Sequence, residues 1–347
     1  MLERMDDTYE RFAPLPLLTP GNDGGRSRKS LGRAFAAGSL VRVRHGFYVD
    51  TATWLGATSS QRFMTTVKAV AGRRHQPVFT GTTALVLQGV PLVETPAAVE
   101  VVTPTPSRAG LQTTMPGYHE AHLRDAEDLP YIHRTRNVFR EPSVTLEEPV
   151  WPGIHTSLRS VDLREHLVDT LSGLDFSEAL VIADSLLSGR NREGLRLTRP
   201  GLEQLVRREA TAAGASWLNR VLRHSTHLSE SPGESLSRAR MIELGFVLPQ
   251  LQTHLTGADG VDYRVDFWWE ELGLIGESDG WGKYSVAGTD PAESLRREKR
   301  REDALRERGH RFVRWGWADA LDPQRMAELL VRNRVPRRRR ASIRWSA

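Results

Sequence analysis

Along this chain the apolar positions alternate between stretches spaced three and four residues apart and short β-rich runs. Pro14, Pro16, Pro20 and a GNDGG stretch make the start a loop. Leu31 and Phe35 then share a helical face, and Gly38 is a natural stop, which predicts a short helix over 27–38. Leu40-Val41-Arg42-Val43 and Phe47-Tyr48-Val49 read as two strands with Arg44-His45-Gly46 between them. Further on, 58–71 reads as a helix, Pro77 to Thr80 as the start of a strand and Gly81 to Gly89 as a short helix. Val99 to Val102 reads as a strand. From Val161 to Leu187 the apolar residues Leu163, Leu167, Leu171, Ala179, Ile182, Ala183 and Leu186 return at helical spacing.

The last third has the clearest punctuation. Ser231-Pro232-Gly233-Glu234 reads as an N-cap, a first-turn proline and an acid at capping-box spacing, opening a helix to about Leu244 that stops at Gly245. Strands follow at 248–255, 261–268 and 272–278, with Asp259-Gly260 as a hairpin turn. Asp290-Pro291-Ala292-Glu293 opens a second helix, to about Arg308. Arg311 to Trp315 is a fourth strand, and Asp322-Pro323 opens a last helix. The order is αβββαβα, so the chain reads as a multidomain mixture of α+β and α/β parts.

Composition narrows the classes. The 347 residues, 39% hydrophobic and 26% charged, suffice for two or three domains with a real core. No apolar run approaches the roughly 18 residues that a bilayer demands. The polar, acidic N-terminus does not resemble a secretion signal. With no cysteine, disulfides, zinc-thiolate sites and thiol catalysis are excluded. A cytoplasmic location without a membrane partner is the expectation. The net charge of +5, mostly arginine, favours a polyanionic partner such as DNA.

Acids at the ends of apolar strands are the candidate chemistry. Asp266 lies in Arg264-Val265-Asp266-Phe267-Trp268, and Glu277 and Asp279 lie in Gly276-Glu277-Ser278-Asp279-Gly280. Residues two apart on a strand point to one face, so Glu277 and Asp279 can converge, with Asp266 beside them on a neighbouring strand. Glu234 can reach the same place from its helix, or can simply cap it. Clustered carboxylates repel unless a cation lies among them, and hard oxygen ligands suit Mg2+ or Mn2+. Such an ion can activate water against a phosphodiester. The expected metal ligands are Asp266, Glu277 and Asp279, with Glu234 as a further catalytic residue.

Basic residues supply the candidate nucleic-acid contacts. A helix followed by a basic hairpin is how a winged helix-turn-helix ends, and its wing can lay Arg42, Arg44 and His45 along a phosphate backbone. The same segment can equally be a small structural hairpin. Arg296, Arg297, Lys299, Arg300 and Arg301 form a basic run, and Arg337 to Arg340 with Arg344 and Trp345 form a basic tail. Either can be a phosphate contact or a solvated surface. Arg296, Arg300 and Arg314 are the expected contacts here, and Trp281, beside the acids, is the tryptophan expected to stack on a base. Trp268, Trp269, Trp315 and Trp317 read mainly as core. The scattered His119, His122, His133 and His155 lack metal-ligand spacing and read as structural or surface residues.

Two resemblances sharpen this. SLGRAFAAGSLVRVRHGFYVD, FTGTTALVLQGVPL, GIHTSLRSVDLREHLVDTL and EALVIADSLL resemble segments of AbiEi-like antitoxins and transcriptional regulators, piecewise over residues 27 to 190. That resemblance implies DNA binding through a winged helix, with a promoter or a cognate toxin as partner. Residues 229 to 335 resemble an endonuclease-like domain related to very-short-patch-repair (Vsr) nucleases, of the PD-(D/E)XK class. The match rests on Glu234, Asp266, Glu277 with Asp279, and the run Lys299, Arg300, Asp303, Leu305, Gly309, His310 and Arg314. It departs where Asp279 stands for the class lysine and Lys283 for a histidine found in many relatives; the resemblance implies Lys283 as a further catalytic residue that supplies the missing cation, orienting water or neutralising a phosphate. The expected layout is a winged-helix-like segment at 1–56, an α/β middle domain at 57–225, a nuclease-like domain at 226–335 and a basic tail at 336–347. The expected activity is metal-dependent hydrolysis of DNA. The alternative is an antitoxin-type regulator with an inactive nuclease fold.

Overall fold

Ser27 begins the first described helix by accepting the backbone N–H of Ser30, and α1 (Arg28–Ala36) buries Leu31 and Phe35 as the spacing predicts. The computed structural model describes residues 11–21, 27–113, 117–124, 129–141, 144–191, 194–279 and 291–338. Strands β1 (Leu40–Arg44) and β2 (Phe47–Asp50) pair antiparallel, with Gly46 at φ 81° in the turn, where a Cβ would be strained. Helices α2 (Thr51–Gly56) and α3 (Ser59–Arg73) follow, the second closed by a capping box between Thr58 and Gln61. Val41, Val43, Val49 and Trp54 share a small core with Ala69 of α3, and Tyr118 and Ile132 pack against it.

The middle sheet contains β3 (Val78–Phe79), then α4 (Gly81–Leu87), β4 (Ala98–Thr103), β5 (Gly110–Leu111), β6 (Arg134–Phe139), β7 (Leu146–Glu147) and β8 (Arg159–Val161), in the order β5-β6-β4-β3-β8-β7. Parallel and antiparallel pairs are mixed. The apolar stretch from Val161 to Leu187 is two helices, α5 (Leu163–Ser172) and α6 (Phe176–Ser188). Gly173 ends the first, and Asp175 caps the second. Helices α7 (Arg199–Glu209) and α8 (Ala212–His224), unassigned from the sequence, complete this layer. Their inward residues Leu202, Leu205, Leu218 and Leu222 join the large core around Phe63, Leu167 and Leu180.

The last unit begins with α9 (Pro232–Glu243) and continues through β9 (Gln250–Thr256), β10 (Asp262–Trp269) and β11 (Leu274–Asp279). Then come α10 (Pro291–Glu307), β12 (Arg311–Gly316), the short α11 (Trp317–Leu321) and α12 (Pro323–Arg332). The expected order is found, with α11 added. The four strands lie β12-β11-β10-β9, antiparallel except for the parallel β11–β12 pair. One face of this sheet packs Phe267, Trp269, Leu274 and Trp315 against α9 and α12. Trp268 and Ile275 pack with Leu305 of α10. The chain is thus a mixed α/β protein. Among the described residues, no helix is long and apolar enough to cross a membrane.

Candidate acidic site and basic surroundings

The acids are brought together by strand register. Phe267 faces Gly276 in the antiparallel β10–β11 ladder, so one step further along it sets Asp266 opposite Glu277. The backbone N–H of Ser278 donates to Asp266 Oδ2 at 3.3 Å. Glu277, buried at 3% exposure, is flanked on its other side by Arg314 of β12, its partner in the parallel ladder. Asp279 is half-buried at the end of β11.

Glu234 reaches the group from α9. Its N–H is taken by Ser231 Oγ, as an N-cap requires, but its carboxylate does more than cap. It accepts from Ser231 Oγ at 3.0 Å, from the Glu230 N–H at 2.9 Å and from Gln252 Nε2 at 2.9 Å. Burial first, and the charge of Asp266 second, push its pKa up to about 7. Burial also raises Glu277, opposed by Arg301, while Asp266 again adds to the rise. Asp266 thus acts electrostatically on both glutamates.

Gln252 is a neighbour that the sequence did not single out. It stands at φ 51°, a left-handed conformation rare for a strand residue. Its Oε1 is buried with no hydrogen-bond partner among the described residues. A glutamine in an alternating strand carries no signal of this, because the backbone irregularity is what turns it toward Glu234.

Arginines neutralise the cluster. Arg301 Nη2 donates to Glu277 Oε1 at 2.6 Å and to Glu298 Oε1 at 2.6 Å, and its Nε to Glu298 Oε2 at 2.9 Å. Arg314 Nη2 lies 3.6 Å from Glu277 Oε2, 2.8 Å from Glu298 and 2.9 Å from Glu302. Burial works against the Arg301 charge, yet its bonds to Glu298 and Glu277 outweigh that and raise its pKa. Carboxylate oxygens are chemically suited to Mg2+ or Mn2+. Their present arrangement does not fit such an ion. Glu277 faces two guanidinium groups, and both Glu234 oxygens already accept hydrogen bonds.

The other expected site residues divide clearly. Lys283 and Trp281 lie outside the described residues, as does the tail from 339 onward. Arg296 and Arg300 are exposed on α10 with Arg297 and Lys299. Arg314 is held among three glutamates, so its charge is largely compensated inside the protein. Arg42 lies over the Phe35 ring at 4.4 Å, and His45 is exposed at the hairpin turn. Arg44 corrects the sequence reading. It is 7% exposed, and its guanidinium donates to Val43 O, His133 O and Thr135 Oγ1, so it braces the hairpin from inside and does not face a ligand. Trp268, Trp269 and Trp315 are core, as read, and the indoles of Trp269 and Trp315 donate to Val247 O and Ser237 Oγ.

No known protein-family profile and no solved structure matches the chain. It is similar to two proteins of Mycobacterium tuberculosis, uncharacterized protein MT2308 of strain CDC 1551 / Oshkosh and uncharacterized protein Rv2248 of strain ATCC 25618 / H37Rv. Each is 31% identical over 140 residues, which is 40% of this chain and 50% of the relative. The match therefore spans about half the length of these relatives.

Proposed function

We propose that this chain is a DNA-binding protein of the antitoxin-like regulator type, whose C-terminal unit keeps a PD-(D/E)XK-like order of elements around an arginine-neutralised acid cluster. The observation that carries this reading is the bond from Arg301 to Glu277, backed by Arg314. A guanidinium at the carboxylate expected to bind metal supplies the counter-charge from within the chain. The exposed Arg296, Arg297, Lys299 and Arg300 on the same helix as Arg301 support a phosphate-bearing partner. Within this reading the partner is promoter DNA, with a cognate toxin as a second partner.

A second reading, metal-dependent DNA hydrolysis, is favoured by the convergence of Glu234 and Glu277 on Asp266. Asp266, Glu277 and Asp279 would then hold Mg2+ or Mn2+ once Arg301 left Glu277, with Glu234 and Lys283 assisting.

Incubating supercoiled plasmid with the purified protein and Mg2+, Mn2+ or EDTA, alongside Asp266→Ala and Glu277→Ala, separates the two. Salt-sensitive DNA binding without nicking is the expected result. Metal-dependent nicking lost in both variants would replace the first reading with the second. Absence of DNA binding would remove both.

A further inference from the structure

The hairpin and the end of α3 meet at close range. A Cβ at Gly72 would stand 2.9 Å from the Phe47 ring, so the helix backbone lies directly against β2. This contact brings the tip Arg44-His45-Gly46 beside Arg73-Arg74-His75, which are 27 or more residues away in sequence. His45, Arg73, Arg74 and His75 are exposed, and Arg44 is sealed beneath them. Arg74 Nη1 donates to Asn137 Oδ1 at 3.1 Å, which ties it to β6.

The charges here have one sign. Burial lowers the Arg44 pKa to about 10, and the positive charges of Arg73 and Arg74 act in the same direction. Arg74 is likewise lowered, by burial and then by Arg73. Among the described residues, none of the three forms an ion pair with a carboxylate. The carbonyl end of α3 favours a cation in its last turn, which accounts for one arginine there. It does not account for three guanidinium groups gathered without a counter-charge.

We propose that Arg73 and Arg74, with His45 at the hairpin tip, form a contact surface for the phosphate backbone of DNA. This rests on the DNA-binding reading and assigns its N-terminal contact to Arg73, the last residue of α3, and Arg74, its C-cap, in place of Arg44. Arg73 and Arg74 are both exposed residues, Arg74 held from one side by Asn137. That suits a polyanion running across them better than a single enclosed phosphate. Neighbouring arginines can each take one phosphate, and the buried Arg44 adds to the field without touching the ligand.

The test is the salt dependence of duplex binding, followed by fluorescence anisotropy, for wild type, Arg73→Gln/Arg74→Gln and a charge-matched control, Arg325→Gln/Arg332→Gln. The control residues are exposed on α12. Each lost phosphate contact removes about 0.9 from the slope of log K against log salt, so the first double variant should lose about 2 and the control almost nothing. Arg73→Gln alone should lose about half as much, a check should the double variant unfold. Equal slopes in all three proteins, or equal losses in both double variants, would overturn the proposal. A wild type that binds no duplex at low salt would overturn the DNA-binding reading itself, and this surface with it.

Discussion

Arg238 of α9 and Asp184 of α6 form an ion pair of 2.8 Å, with the aspartate side chain fully buried and the arginine side chain 9% exposed. Asp184 also accepts from the Thr226 N–H and from the Ser229 and Ser235 hydroxyls, and Arg238 donates to His224 O. Burial pushes the Asp184 pKa up to about 6 against the pull of Arg238. The pair joins the C-terminal unit to the helical layer, where Val181 and Ala239 also cross between the two cores. Removing one partner of such a pair typically costs about 3–5 kcal/mol, because the other charge is left buried. Arg238→Ala is expected to lose that much in urea unfolding. Asp184→Leu/Arg238→Met, which removes both charges, is expected to lose clearly less.

The Arg301 bond to Glu277 predicts a directional effect on titration. In Arg301→Gln the carboxylate keeps its burial and the nearby Asp266 but loses its main stabilising cation. The Glu277 pKa is expected to rise further, read by NMR titration of the labelled side chain. Arg314→Gln should produce a smaller rise, because its guanidinium stands 3.6 Å away against 2.6 Å for Arg301. Equal shifts from the two variants would contradict this ranking.

Gly276 tests the packing directly beneath the acid pair. A Cβ there would lie 2.7 Å from the Trp315 ring and 2.9 Å from Trp269. Both rings are buried, so neither can swing into solvent. Gly276→Ala is expected to destabilise the protein by about 1–3 kcal/mol through overpacking. Thermal unfolding measures it, and an unchanged transition would mean that the rings give way freely.

Stability should respond to pH through opposed groups. Burial raises Glu178 from an ordinary 4.5 to about 7, although it accepts the N–H groups of Val93 and Glu94. The folded state therefore binds the proton more tightly. Its stabilisation is complete below pH 4.5 and is lost as pH rises through 7. His133 and His166 act oppositely. Burial lowers each from 6.5 to about 3, so their contribution is complete above pH 6.5 and is lost as pH falls through 3. Relative to Glu178→Gln, the wild-type urea midpoint should fall as pH rises from 4.5 to 7. A parallel pair of curves would show that Glu178 titrates normally.

Much of the fold was legible because its signals are local. Leu31 and Phe35 marked α1, Ser231 and Pro232 marked the start of α9, and Asp259-Gly260 marked the β9–β10 turn. Helices α7 and α8 show less of a pattern, because each buries only three apolar residues behind its cap at Thr198 or Thr211. The long stretch ending at Leu187 hid a break at Gly173, because apolar spacing alone does not register a cap.

Residue types and strand ends were enough to propose Asp266, Glu277 and Asp279 as neighbours, since side-chain alternation is a property of the strand itself. What surrounds those carboxylates was a tertiary matter. Arg301 is 24 residues from Glu277 in sequence, and Gln252 meets Glu234 only through an irregular strand. The hairpin shows the same division. Sequence alone placed Arg44 at its tip, but packing against the strand that carries Thr135 turned that side chain inward, with Arg73 and Arg74 close enough to act on its charge. Local periodicity determines which elements form. The counter-charge a buried side chain finds depends on which elements come together, and that is decided by burial across the whole chain.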